Sequence, residues 1–204
     1  MSAQPKLKYT LAEYLELDAA SEARLEYWDG EVFDMAGGSE THYEIEGNLL
    51  ATLKAKLRAR GCRVFPGNTR LKVPSLPPYH YSDCAALCGE AHFEQVEGAA
   101  VLTNPALIIE VLSKSTEGYD RGDKFTHYKS IPNFQEYLLV AQHRPHVTHL
   151  VKQHDSSWLQ REYNELDAVL RLESLGCEMS LREIYEAVTF PPPEPPPPPM
   201  RSLR

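Results

Sequence analysis

The chain has 204 residues, of which 42% are hydrophobic and 25% are charged, as in an ordinary globular protein. No apolar run reaches the roughly eighteen residues of a membrane span, and residues 1–8 lack the apolar stretch of a signal peptide, so we expect a cytoplasmic protein. The net charge of −8 excludes a protein that coats nucleic acid through bulk positive charge, but it leaves room for a local site.

The cysteines form no CxxC pair and are too sparse for a disulfide scaffold; they are Cys62, Cys84, Cys88 and Cys177. This pattern indicates free thiols in a reducing compartment. Because thiolate and imidazole groups are common zinc ligands, a zinc site is an alternative that the residues leave open. Its ligands would be Cys84 and Cys88 with His80 or His92.

The N-terminal region predicts a helix followed by a hairpin. A capping box at residues 10–13 opens a short helix that runs to about Leu17. Two extended segments, residues 24–28 and 31–35, flank Asp29-Gly30, a dipeptide that favours the tight turn of a hairpin.

A long helix is predicted over residues 39–60, after the Gly37-Gly38 break and up to Gly61. Apolar side chains recur there every four residues, at Ile45, Leu49, Leu53 and Leu57. Lysine and arginine cluster between residues 54 and 72, which indicates either the solvated face of this helix or a basic patch for nucleic acid.

Short apolar runs predict four strands in the middle of the chain, over residues 62–66, 69–73, 81–87 and 106–112. A turn at Pro77-Pro78 and an irregular acidic segment over residues 89–98 separate them. Asp120 is placed to cap a helix that begins near Arg121 and ends before Pro132.

Strands resume over residues 136–141, 147–152 and 158–163, and a capping box at residues 180–183 opens a final helix to about residue 187. We therefore predict one α/β domain over residues 1–190, with a mixed central sheet flanked by helices. Residues 191–204 are proline-rich and predict a disordered polyproline II tail, which extends into solvent or docks an aromatic groove of a partner.

Two acidic residues interrupt apolar strand patterns. Glu110 lies within residues 106–112, and Asp83 lies within residues 81–87. Because a buried, unpaired carboxylate costs several kcal/mol, each acid must be protonated, paired with lysine or arginine, or bound to a cation. If the two carboxylates converge, they make a magnesium-type site; if each pairs with a basic residue, they are structural.

The predicted elements follow the order of a helix, a strand with an acidic residue, a buried strand with a second acidic residue, and a helix with a lysine. This order resembles the PD-(D/E)XK nuclease superfamily, and within it the bacterial Uma-two family of restriction-endonuclease-like proteins. The resemblance covers residues 9–186. It rests on the sequence at residues 9–15 and 26–31, Met35 to Gly38, His42, residues 104–113, Ser115-Thr116, residues 120–124 and Tyr128.

The resemblance implies a restriction endonuclease-like fold and a DNA endonuclease that depends on Mg²⁺ or Mn²⁺. Asp83 corresponds to the first metal-binding acid and Glu110 to the second, and the main-chain carbonyl of Val111 would be a third metal ligand. The superfamily places a lysine two residues beyond the second acid, where this chain has Leu112. The resemblance therefore assigns the cationic role to Lys124 on the following helix, with Lys114 as the rival.

Other polar residues are weaker candidates for the same site. His42, Glu44 and Glu46 begin the long helix, where the superfamily can supply an auxiliary acid or base, but exposed polar positions on a helix are the favoured explanation. Asp120 would support Lys124, if helix capping does not account for it. A symmetric dimer is the simplest way to cut both DNA strands. The rival functions are a catalytically silent fold that binds nucleic acid or protein, and a structural domain with ion-paired acids.

Overall fold

A computed structural model describes residues 8–22, 24–28, 30–34, 37–75, 79–96 and 98–190. In the N-terminal half, chain order gives the helix α1 (Leu11–Ala20), the strands β1 (Leu25–Trp28) and β2 (Glu31–Asp34), the helix α2 (Glu40–Leu57), and the strands β3 (Cys62–Pro66), β4 (Arg70–Leu71), β5 (His80–Tyr81), β6 (Cys84–Cys88), β7 (Phe93–Val96), β8 (Ala99–Leu102) and β9 (Leu107–Leu112).

The C-terminal half begins with one helical segment in three parts, which are α3 (Glu117–Tyr119), a π-helical turn (Asp120–Lys124) and α4 (Phe125–Tyr128). It continues with the strands β10 (Glu136–Ala141), β11 (Val147–Lys152), β12 (Trp158–Tyr163), β13 (Val169–Leu172) and β14 (Cys177–Ser180), and the described part ends with the short helix α5 (Leu181–Ile184).

The described strands build a central mixed sheet in the order β12-β11-β10-β9-β6-β3. β9 and β10 are parallel, and the other neighbours in this sheet are antiparallel. A smaller sheet has the order β5-β4-β8-β7, and β1–β2 and β13–β14 form separate two-stranded ribbons. The parallel β9–β10 pair requires a crossover, and the helical segment 117–128 supplies it.

Alternate residues of β9 face two different hydrophobic cores, because successive side chains of a strand point to opposite faces. Ile109 and Val111 pack in the core that contains the buried side of α2. Ile108 and Leu112 pack in the core that contains Tyr128. The sheet is thus covered by helices on both faces, which explains why every residue of β9 is buried.

The predictions for α1, the β1–β2 hairpin, α2, β3 and β10 to β12 are confirmed. The Thr10–Glu13 capping box is present, and Ser39 caps α2 by accepting the N–H of His42. The four apolar positions of α2 are fully buried, and Gly61 beyond the helix adopts a φ of +66° that favours glycine.

Several predicted elements have different bounds. The strand predicted over residues 81–87 is two strands, because the chain leaves the ladder at Ser82-Asp83. The acidic segment 89–98 is not irregular, since it contains β7, which pairs with the unpredicted β8. The strand predicted over residues 69–73 shrinks to β4, the final helix ends at Ile184, and β13–β14 were not predicted.

Asp120 does not cap the crossover helix. The helix begins at Glu117, so Asp120 lies inside it, and its carboxylate Oδ1 lies 3.6 Å from Lys124 Nζ one turn later. The capping prediction is therefore wrong, because the helical segment begins before Asp120. The carboxylate instead lies beside the buried Lys124.

The expectation of free thiols is wrong for two cysteines. The antiparallel register of β3 and β6 sets Cys62 opposite Cys88, and the two form a disulfide. Cys84 and Cys177 are free and buried. The disulfide removes Cys88 from any zinc site, so that alternative is also wrong.

Some expectations concern residues outside the described ranges, namely Asp29 of the hairpin turn, the Pro77-Pro78 turn and the tail 191–204. Among the helices that the structure describes, none combines the length and hydropathy of a membrane span.

Candidate active site

Asp83 occupies the break between β5 and β6. Its Oδ2 accepts the backbone N–H of Val111 (2.7 Å), and its Oδ1 lies 3.2 Å from His42 Nε2. Burial alone would raise the pKa of Asp83, but the His42 ring and the Val111 N–H outweigh burial and lower it. Asp83 is therefore an ionised carboxylate held between α2 and the end of β9.

Glu110 is buried in β9, and the β6–β9 register that pairs Cys84 with Ile109 brings it to the same end of the sheet as Asp83. Its Oε1 accepts the hydroxyl of Tyr128 (2.9 Å) and lies 3.1 Å from Lys124 Nζ. Burial raises the pKa of Glu110 well above its usual range; Lys124 opposes this effect, and nearby acids add to it.

Lys124 closes the π-helical turn and is only 1% exposed. Among the described residues, three acids surround its ammonium group, with Glu110 Oε1 at 3.1 Å, Asp120 Oδ1 at 3.6 Å and Glu26 Oε1 at 3.7 Å. Burial would lower the pKa of Lys124, but the three carboxylates raise it well above its usual range. Lys124 is therefore a fixed positive charge.

Glu26 was not among the sequence candidates. It lies on β1 and is 2% exposed; it accepts the N–H of Tyr81 (2.7 Å) and lies 3.5 Å from His80 Nδ1. Burial would raise the pKa of Glu26, but Lys124, His80 and the Tyr81 N–H hold it at about 2. A charged residue in an apolar strand run was the available signal, and it is the same signal that singled out Glu110.

His42 and Glu46 lie one turn apart on α2 beside Asp83, and one ligand atom of each of the three lies within 4.8 Å of the others. Burial opposes protonation of His42, but Asp83 raises its pKa; burial and then Asp83 raise the pKa of Glu46. Glu44, on the same helix, is exposed. The sequence could not separate Glu46 from Glu44 without knowing which face of α2 meets the sheet.

Several of these side chains line a cavity of about 330 Å³, whereas Glu26 and Glu46 are outside its described lining. Of the residues that the sequence singled out, Asp83, Glu110, Val111, Lys124, His42 and Asp120 line it. Lys114 is exposed, lies beyond the end of β9 and is outside this lining. Arg24 and the hydroxyl side chains Ser113, Ser115 and Thr116 line the cavity as well.

The donor set suits a hard divalent cation. Carboxylate oxygens from Asp83 and Glu110 border the same cavity, and such oxygens are the ligands that Mg²⁺ and Mn²⁺ prefer. The imidazole of His42 beside Asp83 adds a nitrogen ligand that suits Mn²⁺ better than Mg²⁺. A cation bound beside Glu110 would lower its pKa and favour its charged form.

The chain is similar to proteins of one known family. A family model described as "Putative restriction endonuclease" matches residues 11–182. Two proteins of Synechocystis are similar: "Uncharacterized protein sll1609" is 37% identical over 153 residues, covering 75% of this chain and 86% of its own. "Uncharacterized protein slr1290" is 32% identical over 188 residues, covering 91% of this chain and 96% of its own.

A crystal structure from Anabaena variabilis, titled as a "putative nuclease belonging to DUF820", superimposes with a TM-score of 0.70 at 18% identity. The match covers 88% of this chain and 99% of that one. The likeness confirms the predicted α/β fold with its mixed sheet and flanking helices. On the strength of the family model and the two relatives, the chain belongs to the Uma2 family of restriction-endonuclease-like proteins.

Proposed function

We propose that the chain is a metal-dependent DNA endonuclease in which Asp83 and Glu110 hold Mg²⁺ or Mn²⁺ and Lys124 acts on the scissile phosphate. The observation that carries the proposal is the meeting, at one cavity, of two strand-borne acids and a buried lysine from the crossover helix. Membership of a family described as restriction endonucleases gives the reaction class, which is hydrolysis of phosphodiesters.

Each residue has a role that its surroundings support. Asp83 is ionised and held by two contacts, so it offers a preorganised anionic ligand. Glu110 would be the second carboxylate ligand, and a bound cation would favour its charged form, which burial disfavours. The carbonyl of Val111 is the third ligand carried over from the resemblance. A cation bound there would polarise the phosphodiester and lower the pKa of a nearby water.

Lys124 supplies positive charge beside Glu110, with its Nζ 3.1 Å from Glu110 Oε1. A fixed, desolvated ammonium group stabilises negative charge that develops on a phosphate more strongly than a solvated one. The structure favours Lys124 over Lys114 for this role because Lys124 borders the cavity and contacts Glu110.

One observation favours a second candidate function, a nuclease-like fold that binds nucleic acid without cutting it. Lys124 is already neutralised by three acids in the described part of the chain, so little of its charge is left for a phosphate. In this second candidate, Arg24 on the cavity wall would be the phosphate contact.

The test is cleavage of supercoiled plasmid and of single-stranded DNA with Mn²⁺ or Mg²⁺. Wild type is compared with Asp83→Asn, Glu110→Gln and Lys124→Met, and Lys114→Ala is the matched control lysine. We expect all three site variants to lose at least about 100-fold in rate and the control to cut normally. Equal rates in all five preparations would indicate a contaminant, and DNA binding without cleavage would favour the second candidate.

A further inference from the structure

Glu26 is a buried acid to which the proposed reaction gives no role. It comes from the β1–β2 hairpin, whereas Asp83 and Glu110 come from the central region and Lys124 from the crossover helix. Its carboxylate Oε1 faces two groups, the Lys124 ammonium at 3.7 Å and the N–H of Tyr81 at 2.7 Å. Oε2 lies 3.5 Å from His80 Nδ1.

These contacts belong to a closed ring of contacts in which Lys124 is one member. Tyr81 donates its N–H to Glu26 and accepts the hydroxyl of Tyr128 at its carbonyl (3.1 Å). The same hydroxyl oxygen lies 2.9 Å from Glu110 Oε1, so its one proton is shared between these two acceptors, and Glu110 Oε1 lies 3.1 Å from Lys124 Nζ. Because Tyr81 lies two residues before Asp83, the ring links the position of the lysine to the segment that carries the first acid.

The acids around Lys124 differ in what they face. Glu110 and Asp120 line the cavity, so both are available to a cation or to solvent there. Glu26 is buried and outside the described lining, and its Oε1 lies 3.7 Å from Lys124 Nζ. If Glu110 bound a metal ion, Lys124 would lose its nearest counter-ion, whereas Glu26, which does not line the described cavity, would stay beside the lysine.

We propose that Glu26 is a positioning residue that holds the Lys124 ammonium beside the cavity when Glu110 serves as a metal ligand. The proposal deepens the proposed nuclease function and rests on it for the catalytic consequence. The electrostatic link between Glu26 and Lys124 can be tested whether or not the chain cleaves DNA.

The first experiment measures kcat and KM for oligonucleotide cleavage with Mn²⁺, and Mn²⁺ affinity by calorimetry, for wild type and Glu26→Gln. Glutamine keeps an acceptor for the Tyr81 N–H but removes the charge. We expect kcat to fall by about 10- to 100-fold, with KM and Mn²⁺ affinity within about 3-fold of wild type. The control is Glu136→Gln, which should leave kcat unchanged. Glu136 is also a buried glutamate beside a histidine, but it is outside the described cavity lining.

An unchanged kcat in Glu26→Gln would overturn the proposal. So would a loss explained by Mn²⁺ affinity alone, because Glu26 would then support the metal acids rather than the lysine. A conservative Glu26→Asp variant, which restores the charge at a shorter reach, should recover part of the lost kcat if charge is what matters.

The second experiment is a double-mutant cycle on the melting temperature, with Glu26→Gln, Lys124→Met and the double variant. If Glu26 serves the lysine, Glu26→Gln lowers the melting temperature in wild type but leaves or raises it in the Lys124→Met background. An equal loss in both backgrounds would overturn the proposal. Absence of cleavage by wild type would refute the proposed function, and this cycle would still decide the role of Glu26.

Discussion

Glu110 and Glu136 are buried glutamates on the neighbouring parallel strands β9 and β10, and their surroundings are opposite. Glu136 accepts the N–H groups of Glu173 (2.9 Å) and Ser174 (3.3 Å) and the Ser174 hydroxyl, and it lies 3.3 Å from His149 Nε2. Although burial would raise the pKa of Glu136, these donors lower it. Glu110 has a raised pKa and further acids nearby.

The difference shows that a charged residue in a buried strand does not by itself mark a functional site. Glu136 has donors enough for its charge, so it ties β10 to the segment before β14 as a structural group. Glu110 is contacted by the Tyr128 hydroxyl and by Lys124, but it has further acids nearby and borders a cavity, so a cation that entered the cavity would stabilise its charged form. Changing each glutamate to glutamine tests this contrast.

The largest expected effect is on cleavage. Glu110→Gln should lower the rate by at least about 100-fold, because it removes an anionic ligand from the reacting site. Glu136→Gln should retain wild-type rates at temperatures where it is folded. Plasmid nicking assays at matched folded concentrations measure both, and a larger loss in Glu136→Gln would reverse the assignment.

The next effect is on metal binding. Mn²⁺ at about 100 times its Kd should stabilise wild type by about 2.7 kcal/mol, which is a rise of roughly 5–10 °C in Tm. The same shift is expected in Glu136→Gln, whereas Glu110→Gln and Asp83→Asn should lose it. Thermal melts with and without Mn²⁺ measure it, and a full shift in Asp83→Asn would place the metal elsewhere.

The free energy of unfolding without metal should change more in Glu136→Gln than in Glu110→Gln, which is the reverse of the order expected for cleavage and metal binding. Glu136→Gln should lower the free energy of unfolding by about 2 kcal/mol, because the amide presents N–H groups to donors that the carboxylate had satisfied. Glu110→Gln should stay within about 1 kcal/mol of wild type, since it keeps an acceptor for Tyr128 and removes one of several crowded acids. Urea unfolding measures both free energies. A strong destabilisation of Glu110→Gln would indicate that Glu110 has a structural role.

The smallest effect concerns pH. Because the pKa of Glu136 is lowered from its ordinary value of 4.5, its contribution to stability is present above that value and is lost as pH falls through the lowered folded-state pKa. The stability difference between wild type and Glu136→Gln should thus be constant near neutral pH and shrink below about pH 4.5. A gap that grows on acidification would contradict this sign.

Local patterns in the sequence determined most of the elements. Four-residue apolar spacing placed α2, and the short apolar runs placed β3 and β10 to β12, because both signals depend on residues close together in the chain. The weak alternation of β7, β8, β13 and β14 gave no such signal. The disulfide between Cys62 and Cys88 was missed because it depends on strand register across 26 residues.

The residues of the candidate site also fall into those that the sequence identified and those that only the structure identified. The sequence by itself identified Asp83 and Glu110, since an acid inside an apolar strand requires a partner wherever that strand lies. The resemblance added Lys124, and the catalytic roles of all three stay predictions. Only the tertiary structure decided that Asp120 engages Lys124, that Glu46 rather than Glu44 meets Asp83, and that Glu26 lies beside the lysine. Those contacts join separate elements, so they depend on how the hairpin, α2 and the crossover helix pack on the sheet.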